Sequence, residues 1–120
     1  MHLHESGEMY LETIYVLTRE HPAVRAIDVG EHMGFSKPSV SRALGILKNG
    51  GYVLVSPEGY LSLTESGLEV ATKIYARHEL LKGFLMSIGV DEDTATEDAC
   101  KMEHALSDLS FEAMKKYLAK

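Results

Sequence analysis

Apolar residues recur at helical spacing along most of the chain, and one short segment is rich in β-forming residues instead. Near the N-terminus, a broad apolar face over residues 8–19 predicts a first helix. Pro22 ends it, because proline disfavours helix at the preceding residue. A second helix is predicted over residues 26–33, where Gly34 supplies a usual C-terminal signal. The chain therefore begins with two predicted helices.

The next two elements indicate the class of fold. Ser36 is a typical N-cap and Pro38 suits a first helical turn, so a third helix is predicted as far as about Lys48. In the stretch "YVLVSPEGYLSLT" that follows, residues 52–55 and 60–63 flank a Pro-Glu-Gly turn and predict a short hairpin. A helix, a tight turn between two helices and a hairpin form the order of a winged helix-turn-helix.

Three more helices are predicted after the hairpin. Thr64 is expected to begin a long helix that reaches Ser87. The stretch "GVDEDTATED" begins an acidic helix that contains Cys100, and Ser110 begins a short final helix through Leu118. The second half of the chain is therefore expected to be entirely helical.

Together these elements predict a mainly α fold. We expect a winged helix-turn-helix head with a small two-stranded wing at residues 1–66, and a second, helical domain at residues 67–120. No apolar run is long enough to predict a membrane span. The first ten residues lack a secretory pattern, and a lone cysteine forms no internal disulfide, so we expect a cytoplasmic protein.

The distribution of charge qualifies the net value of −6, which by itself argues against a nucleic-acid partner. Residues 91–108 contain seven acids and one base, so this segment alone equals the net charge of the chain. Residues 25–56 contain four bases and two acids. Such asymmetry suits a protein that binds a polyanion with one end and cations with the other.

The third predicted helix carries the candidate DNA contacts. Val40, Leu44 and Leu47 are expected to face the core, which leaves hydroxyls and bases outside. Hydroxyls suit phosphate oxygens, and an arginine suits a guanine edge. Alternatively, the serines only cap the helix and the bases are a solvated face; the hairpin that follows favours DNA binding. The candidate DNA-binding residues are Ser36, Lys37, Pro38, Ser39, Ser41 and Arg42.

The acidic helix carries candidate metal donors. Cys100, Glu103 and His104 stand at i, i+3 and i+4, so they share one helix face. A thiolate, a carboxylate and an imidazole form a suitable partial coordination sphere. Donors at one-turn spacing recur on the first helix, and a histidine stands on the long helix. These further candidates are Met9, Glu12 and His78.

Other roles for Cys100 stay open at this stage. A free cysteine is commonly a small core residue, and a winged-helix repressor that senses oxidants through Cys100 without metal is the main alternative. A thiol enzyme is disfavoured, because no oxyanion-hole loop adjoins the thiol and the surrounding acids oppose a thiolate. A helical module whose acidic face binds a basic partner is a further alternative. We therefore expect a regulator and not an enzyme.

Five stretches in the same order resemble one known family, and together they span nearly the whole chain. They are "EMYLETIYVL" (8–17), "SKPSVSRAL" (36–44), "GYLSLTESG" (59–67), "RHELLKGFL" (77–85) and "ACKMEHALSD" (99–108). The chain thereby resembles the metal-dependent repressors of the diphtheria-toxin-repressor type, including their manganese-responsive branch. The Cys-x-x-Glu-His motif of the last stretch is the most specific match.

The resemblance implies a homodimer that represses metal-uptake genes by binding double-stranded operator DNA, with a divalent metal as co-repressor between the first helix and the helical lobe. The iron-type primary ligands correspond to Met9, Cys100, Glu103 and His104, and the manganese-type pattern adds Glu12 and His78. The third, SH3-like domain of many iron-type members is expected to be missing.

Two departures from the family's patterns bear on the choice of metal. The manganese branch has an aspartate at the position of Met9 and a glutamate at that of Cys100, so two sulfur donors here favour Fe(II) over Mn(II). Thr96 and Lys82 stand where the iron branch has ancillary ligands. The second site is therefore expected to be absent or rebuilt around Glu12 and His78.

The dimer interface is expected on the apolar faces of the last three helices, although the same side chains also suit an intramolecular core. The candidate residues are Leu80, Leu81, Phe84, Leu85, Leu106, Phe111 and Met114.

Overall fold

The computed structural model describes residues 5–119, and the side chain of Glu5 is not described. Residues 1–4 and Lys120 lie outside the described residues. The expected absence of a secretory signal rests in part on residues 1–4. The chain divides into two compact units, Met1–Thr72 and Lys73–Lys120. Within the described part there are six helices and a two-stranded antiparallel sheet, so the mainly α fold with a small wing is confirmed.

The elements occur in the predicted order. The helices are α1 (Glu5–Glu20), α2 (Ala26–Met33), α3 (Lys37–Asn49), α4 (Glu65–Ser87), α5 (Glu92–Ala105) and α6 (Asp108–Leu118). The strands are β1 (Val53–Val55) and β2 (Leu61–Leu63), paired so that Val53 lies opposite Leu63. None of the described helices is both long and apolar enough to cross a membrane.

Several boundaries differ from the predicted ones. Helix α1 begins three residues before Glu8, and each strand begins one residue later than expected. Helix α6 begins at Asp108 and not at Ser110, because the hydroxyl of Ser107 accepts the Ser110 N–H at 3.1 Å and makes Ser107 the N-cap. The predicted start at Ser110 was therefore two residues too late, because the capping role of Ser107 was not recognised.

The first unit has a continuous apolar core. Leu11 and Ile14 of α1 are fully buried, and Val40, Leu44 and Leu47 of α3 are buried as predicted. Burying such aliphatic side chains supplies roughly 1.5–3 kcal/mol each. This packing fixes one face of α3 inward and therefore determines which residues of that helix face solvent.

The hairpin is joined to neighbouring segments by backbone contacts. The N–H of Leu61 donates to the Val24 carbonyl at 2.7 Å, beside an isolated bridge between Arg25 and Tyr60. This contact adds a third extended segment at the edge of the wing, which the hydrophobic pattern did not reveal. Because the segment precedes α2, it links the wing to the helix-turn-helix.

The first turn of α4 closes against the loop before β1. Thr64 accepts the Gly67 N–H at 3.1 Å and donates its hydroxyl to the Gly51 carbonyl at 2.6 Å. A Cβ at Gly67 would lie 2.1 Å from the Tyr52 carbonyl oxygen, a distance that no side chain tolerates. Only glycine therefore allows this close approach.

The second unit contains the remainder of α4 with α5 and α6. Its core side chains are mostly small or aliphatic, with one aromatic ring from α6. The buried apolar residues are Ile74, Leu81, Ala95, Ala99 and Phe111. Two polar residues, Arg77 and Glu103, are buried with them. Buried polar groups are rare unless they are partnered, so their surroundings are considered next.

Candidate metal centre and nucleic-acid interface

Helix α3 presents polar side chains at its N-terminal end. All six candidate DNA-binding residues are exposed. Ser36 is the N-cap: its hydroxyl accepts the Ser39 N–H at 3.4 Å and donates to the Ser39 hydroxyl at 2.9 Å. Ser36 and Ser39 therefore take part in capping the N-terminus of α3. Lys37, Ser41 and Arg42 remain exposed groups suited to contacts with phosphates or base edges.

Part of the acidic character of α5 stabilises the helix itself. The carboxylate of Asp91 is the N-cap and accepts the Thr94 N–H at 3.0 Å, which lowers the pKa of that carboxyl. Glu92 and Asp93 follow in the first turn, where negative charge interacts favourably with the helix dipole. These acids therefore have a structural role that requires no metal.

Glu103 has different surroundings, because its side chain is buried to 0% exposure. One carboxylate oxygen lies 3.0 Å from Nδ1 of His78 on α4, and the other lies 3.2 Å from Nε2 of His104. Removing a carboxylate from water is costly unless proton donors or a cation compensate. One carboxylate and two imidazoles thus converge within the second unit, on elements predicted to supply metal ligands.

The contact with Glu103 bears on how His78 would bind a metal. An ionised carboxylate only accepts hydrogen bonds, so with Glu103 ionised as a metal ligand, Nδ1 of His78 is the donor in the 3.0 Å contact. A neutral His78 imidazole would then offer the lone pair of Nε2. A carboxylate that holds a histidine in one tautomer is a common accompaniment of metal ligation.

The remaining candidate donors lie on two helices in different units. Cys100 is half-buried, one helical turn before Glu103 on α5. Met9 and Glu12 are half-buried and one turn apart on α1, in the first unit. The structure therefore groups His78, Glu103 and His104, while ligation by the α1 pair and Cys100 stays a prediction.

The two positions expected to lack ancillary ligands make ordinary contacts within the second unit. The hydroxyl of Thr96 donates to the Glu92 carbonyl at 2.8 Å, and Nζ of Lys82 lies 3.9 Å from the Glu92 carboxylate. An ammonium group is not a metal donor. Lys82 instead pairs the middle of α4 with the start of α5.

Arg77 is a buried residue of this site that was not predicted from the sequence. Its guanidinium is buried and donates to the Glu103 and Leu106 carbonyls and to the Asp108 carboxylate, while Phe111 packs beneath it. Arg77 stands one turn after the buried Ile74 and one turn before the buried Leu81. A charged residue within the apolar stripe of a helix is the sequence signal that would have identified it.

The candidate dimer residues fall into two groups. Leu81 is fully buried and Phe111 nearly so; both therefore serve the core of the single chain and offer almost no surface to a partner. The other five are half-buried. More exposed apolar side chains of the second unit, none of which was predicted, are Met86, Ile88, Leu109, Tyr117 and Leu118.

Two family models together match almost the whole chain. Residues 2–61 match the N-terminal DNA-binding domain of iron-dependent repressors. Residues 64–120 match the metal-binding and dimerisation domain of the same repressors. Both domains occur in the order predicted from the sequence.

Individual relatives include proteins named for toxin regulation and for manganese. The chain is 37% identical over 118 residues to a helix-turn-helix transcriptional regulator of Methanocaldococcus jannaschii, covering 97% of the chain and 94% of the relative. It is 33% identical to the diphtheria toxin repressor of Corynebacterium diphtheriae, covering 87% of the chain and 46% of the relative. It is 31% identical to the transcriptional regulator MntR of Escherichia coli, and the match covers 99% of the chain and 77% of the relative.

Solved structures that resemble this chain include metal-dependent regulators. The manganese regulator SloR superposes with a TM-score of 0.83 at 31% identity, and a manganese-dependent transcriptional repressor in complex with manganese superposes with 0.86 at 28% identity. Each match covers 94% of the chain, which spans about half of those structures (53% and 52%) and of the diphtheria toxin repressor. The chain belongs to the iron-dependent repressor family, which includes the diphtheria toxin repressor and MntR and consists of metal-dependent DNA-binding repressors, not enzymes.

Proposed function

We propose that the protein is a cytoplasmic repressor of metal-uptake genes, in which a divalent cation, Fe(II) rather than Mn(II), is the co-repressor. Residues 1–66 form the DNA-binding head in this proposal, and residues 67–120 form the metal-binding and dimerisation domain. One observation carries it: the buried carboxylate of Glu103 lies 3.0 Å from His78 and 3.2 Å from His104. Glu103 and His104 belong with Cys100 to the Cys-x-x-Glu-His motif, the stretch most specific to the family.

The donor set fits a divalent transition metal. Carboxylate, imidazole and thiolate are donors for such ions, and the burial of Glu103 excludes water that would compete for its charge. When bound, a divalent cation supplies positive charge that neutralises the acidic donors. The proposed ligands are Met9, Glu12, His78, Cys100, Glu103 and His104.

The preference for iron rests on sulfur. The thioether of Met9 and the thiol of Cys100 are softer donors than carboxylates, whereas Mn(II) prefers oxygen. Relatives named for manganese and for toxin regulation are both similar to this chain, so the donor atoms carry the distinction.

Ligation by groups from α1 and from α4 and α5 would link the two units. Met9 and Glu12 belong to the first unit, and the other four donors belong to the second. Shared ligation would restrict the orientation of the head and set the two recognition helices of a homodimer about one DNA turn apart. A coupling of about 1.4–2.8 kcal/mol is enough for a tenfold to hundredfold change in DNA affinity.

The DNA contacts are assigned to α3. Its buried face holds the helix in the head, and the exposed Lys37, Ser41 and Arg42 then face outward together. Arg42 offers a bidentate donor pair to guanine, while Lys37 and the hydroxyls suit phosphates.

An anaerobic DNA-binding titration tests the proposal, with a duplex selected from a random pool by the metal-loaded protein. Fe(II), Mn(II) and chelator are compared for wild type, His104→Ala and Asp98→Ala, which removes an exposed acid from the same helix. We expect either metal to raise DNA affinity, Fe(II) at lower concentration, with the response lost in His104→Ala and kept in Asp98→Ala. Equal DNA affinity under all metal conditions would sink the proposal, and a response of wild type to peroxide alone would support oxidant sensing instead.

The choice of metal has its own test. The double variant Met9→Asp, Cys100→Glu replaces both sulfur donors with the carboxylates of the manganese branch. We expect the ratio of Mn(II) to Fe(II) concentrations required for DNA binding to fall. An unchanged ratio would contradict the assignment of selectivity to the sulfur atoms while leaving the metal site itself intact.

A further inference from the structure

We infer that Arg77 is a positioning residue of the metal centre, which holds the end of α5 so that Glu103 and His104 keep their places against α4. The inference rests on the proposed function, because it assumes that these side chains bind metal. Arg77 would bind no metal itself. Its contribution is made through the backbone of the helix that carries the ligands.

The contacts of Arg77 join three helices of the second unit. From α4, Nη1 donates to the Glu103 carbonyl at 3.0 Å and to the Leu106 carbonyl at 2.7 Å. Its Nη2 donates to the carboxylate of Asp108 in the first turn of α6. The guanidinium carbon lies 5.0 Å from the centre of the Phe111 ring. The Arg77 side chain is only 6% exposed, so its contacts with the α5 carbonyls are shielded from water, whereas the Asp108 carboxylate is exposed.

The position of these contacts explains why an arginine is needed. The last carbonyls of a helix have no partner within it and carry its negative partial charge. Helix α5 ends at Ala105, so the Glu103 and Leu106 carbonyls belong to this end. A planar guanidinium offers several donors in a fixed arrangement and a face for an aromatic ring, which the ammonium of a lysine does not.

Two consecutive residues of α4 hold Glu103 at both ends. Arg77 binds its main-chain carbonyl, and His78 contacts its side-chain carboxylate. A residue held by backbone and side chain from one neighbouring helix has little freedom to rotate or slide. Groups that orient metal ligands in this way typically contribute about 10- to 100-fold in metal affinity.

Lys73 provides a matched control. It also pairs with Asp108, at 3.0 Å, but its side chain is 57% exposed, and no described hydrogen bond or ion pair links it to α5. Both side chains are cations on α4 that contact the same carboxylate. Replacing either one with methionine removes one positive charge and keeps an unbranched apolar stem, so a difference between the variants reports on the α5 contacts.

The experiment compares full-length wild type, Arg77→Met, Arg77→Lys and Lys73→Met. Mn(II) binding is measured under anaerobic conditions from the loss of the free-ion electron paramagnetic resonance signal. The visible spectrum of bound Co(II) reports coordination geometry, and amide hydrogen exchange over residues 103–108 is measured without metal. Thermal unfolding without metal identifies temperatures at which every variant is folded.

We expect Arg77→Met to bind Mn(II) about 10- to 100-fold more weakly at a temperature where it is folded. Its Co(II) spectrum should change and exchange at residues 103–108 should quicken, while Lys73→Met resembles wild type in all three. Arg77→Lys should fall between them, and it replaces Arg77→Met in every comparison if the latter does not fold.

The contrary outcomes separate the inference from the proposed function. An Arg77 variant that is less stable but keeps wild-type Mn(II) affinity and Co(II) spectrum has lost only structural support, which overturns the inference. Equal losses in Lys73→Met would overturn it as well, because the α5 contacts would then carry no special role. Wild type that binds neither Mn(II) nor Co(II) would contradict the proposed metal centre itself, and with it the role of Arg77.

Discussion

Helices α3 and α5 each carry candidate functional side chains, but those of α3 are exposed whereas Glu103 of α5 is buried. The buried face of α3 is apolar, and its candidate DNA contacts are all exposed. On α5, the candidate ligand Glu103 is itself part of the buried face, together with the small residues Ala95 and Ala99. In the proposed function, α3 therefore separates folding from function, whereas α5 uses Glu103 for both.

This difference sets how each region depends on its neighbours. Exposed groups on α3 need only a helix that is packed from behind, and its core residues supply that. The buried carboxylate on α5 needs partners supplied by other residues, which are His78 for its side chain and Arg77 for its carbonyl. A substitution on α3 should thus alter either DNA binding or stability. Substitutions around Glu103 should show how far metal binding and stability depend on the same contacts.

The largest expected effect is on metal binding by Glu103→Gln. The amide keeps the shape of the side chain but removes the anionic donor, so Mn(II) affinity should fall by at least the roughly 100-fold reached by indirect substitutions. The free energy of unfolding without metal should fall by no more than about 1 kcal/mol, because the amide keeps the shape of the side chain and removes a buried charge whose desolvation is costly. Metal titration and urea unfolding in chelator measure the two quantities. A large loss of stability with unchanged Mn(II) affinity would mean that Glu103 is structural.

The next effect concerns stability within the first unit. Gly67→Ala places a Cβ 2.1 Å from the Tyr52 carbonyl oxygen, so the backbone must move and the free energy of unfolding should fall by about 1–3 kcal/mol. Gly45→Ala is the matched control: it lies within α3 with no atom within 4 Å of the new Cβ, and should stabilise by about 0.5–1 kcal/mol. Thermal and urea unfolding in chelator provide the comparison. Equal effects of the two substitutions would contradict the close contact described for Gly67.

A third substitution tests the separation on α3. Arg42→Ala should weaken binding to selected DNA by about 1–3 kcal/mol and relax its sequence preference, because a bidentate base contact is lost. Stability should change by less than about 0.5 kcal/mol, since Arg42 is exposed, and Mn(II) affinity should be retained. DNA binding is measured by fluorescence anisotropy at fixed salt, alongside metal titration. Joint loss of DNA and metal binding would show that the roles of α3 and α5 are not separate.

The smallest effect is a pH dependence at Asp108. Hydrogen bonding and charge from Lys73, with Arg77 contributing less, hold the pKa of this exposed carboxyl below its usual value. A lowered pKa stabilises the folded state above the pKa of the unfolded chain, about 4, and this stabilisation disappears as pH falls through the folded-state value. Wild type should therefore be slightly more stable than Asp108→Asn near neutral pH, with the difference shrinking below pH of about 4. Urea unfolding at a series of pH values measures this difference in stability. A stability difference that grows as the pH falls would contradict the stabilising role assigned to the ion pair.

The same contrast between α3 and the surroundings of Glu103 decides how much of each could be predicted from the sequence. The order of elements, the N-cap Ser36 and the inward face of α3 were predicted because caps, turns and hydrophobic spacing are local signals. The start of α6 at Asp108 was missed, because the cap supplied by Ser107 was not recognised in the sequence.

The surroundings of Glu103 were only partly predictable. One-turn spacing identified Cys100, Glu103 and His104 as sharing a face, but spacing does not reveal which residues of another helix meet that face. The roles of His78 and Arg77 depend on the register of α4 against α5, which is set by packing. The burial of Leu81 and Phe111, expected at a dimer interface, has the same origin.

The most direct test of the central claim, that the α5 donors couple metal to DNA binding, is the metal dissociation constant with and without DNA. Linkage requires that DNA change the metal affinity by the same factor by which metal changes the DNA affinity. Titration of full-length wild type with Fe(II) or Mn(II), under anaerobic conditions, should give a dissociation constant about 10- to 100-fold lower in the presence of saturating selected duplex. The same dissociation constant with and without DNA would contradict the coupling, whichever residues bind the metal.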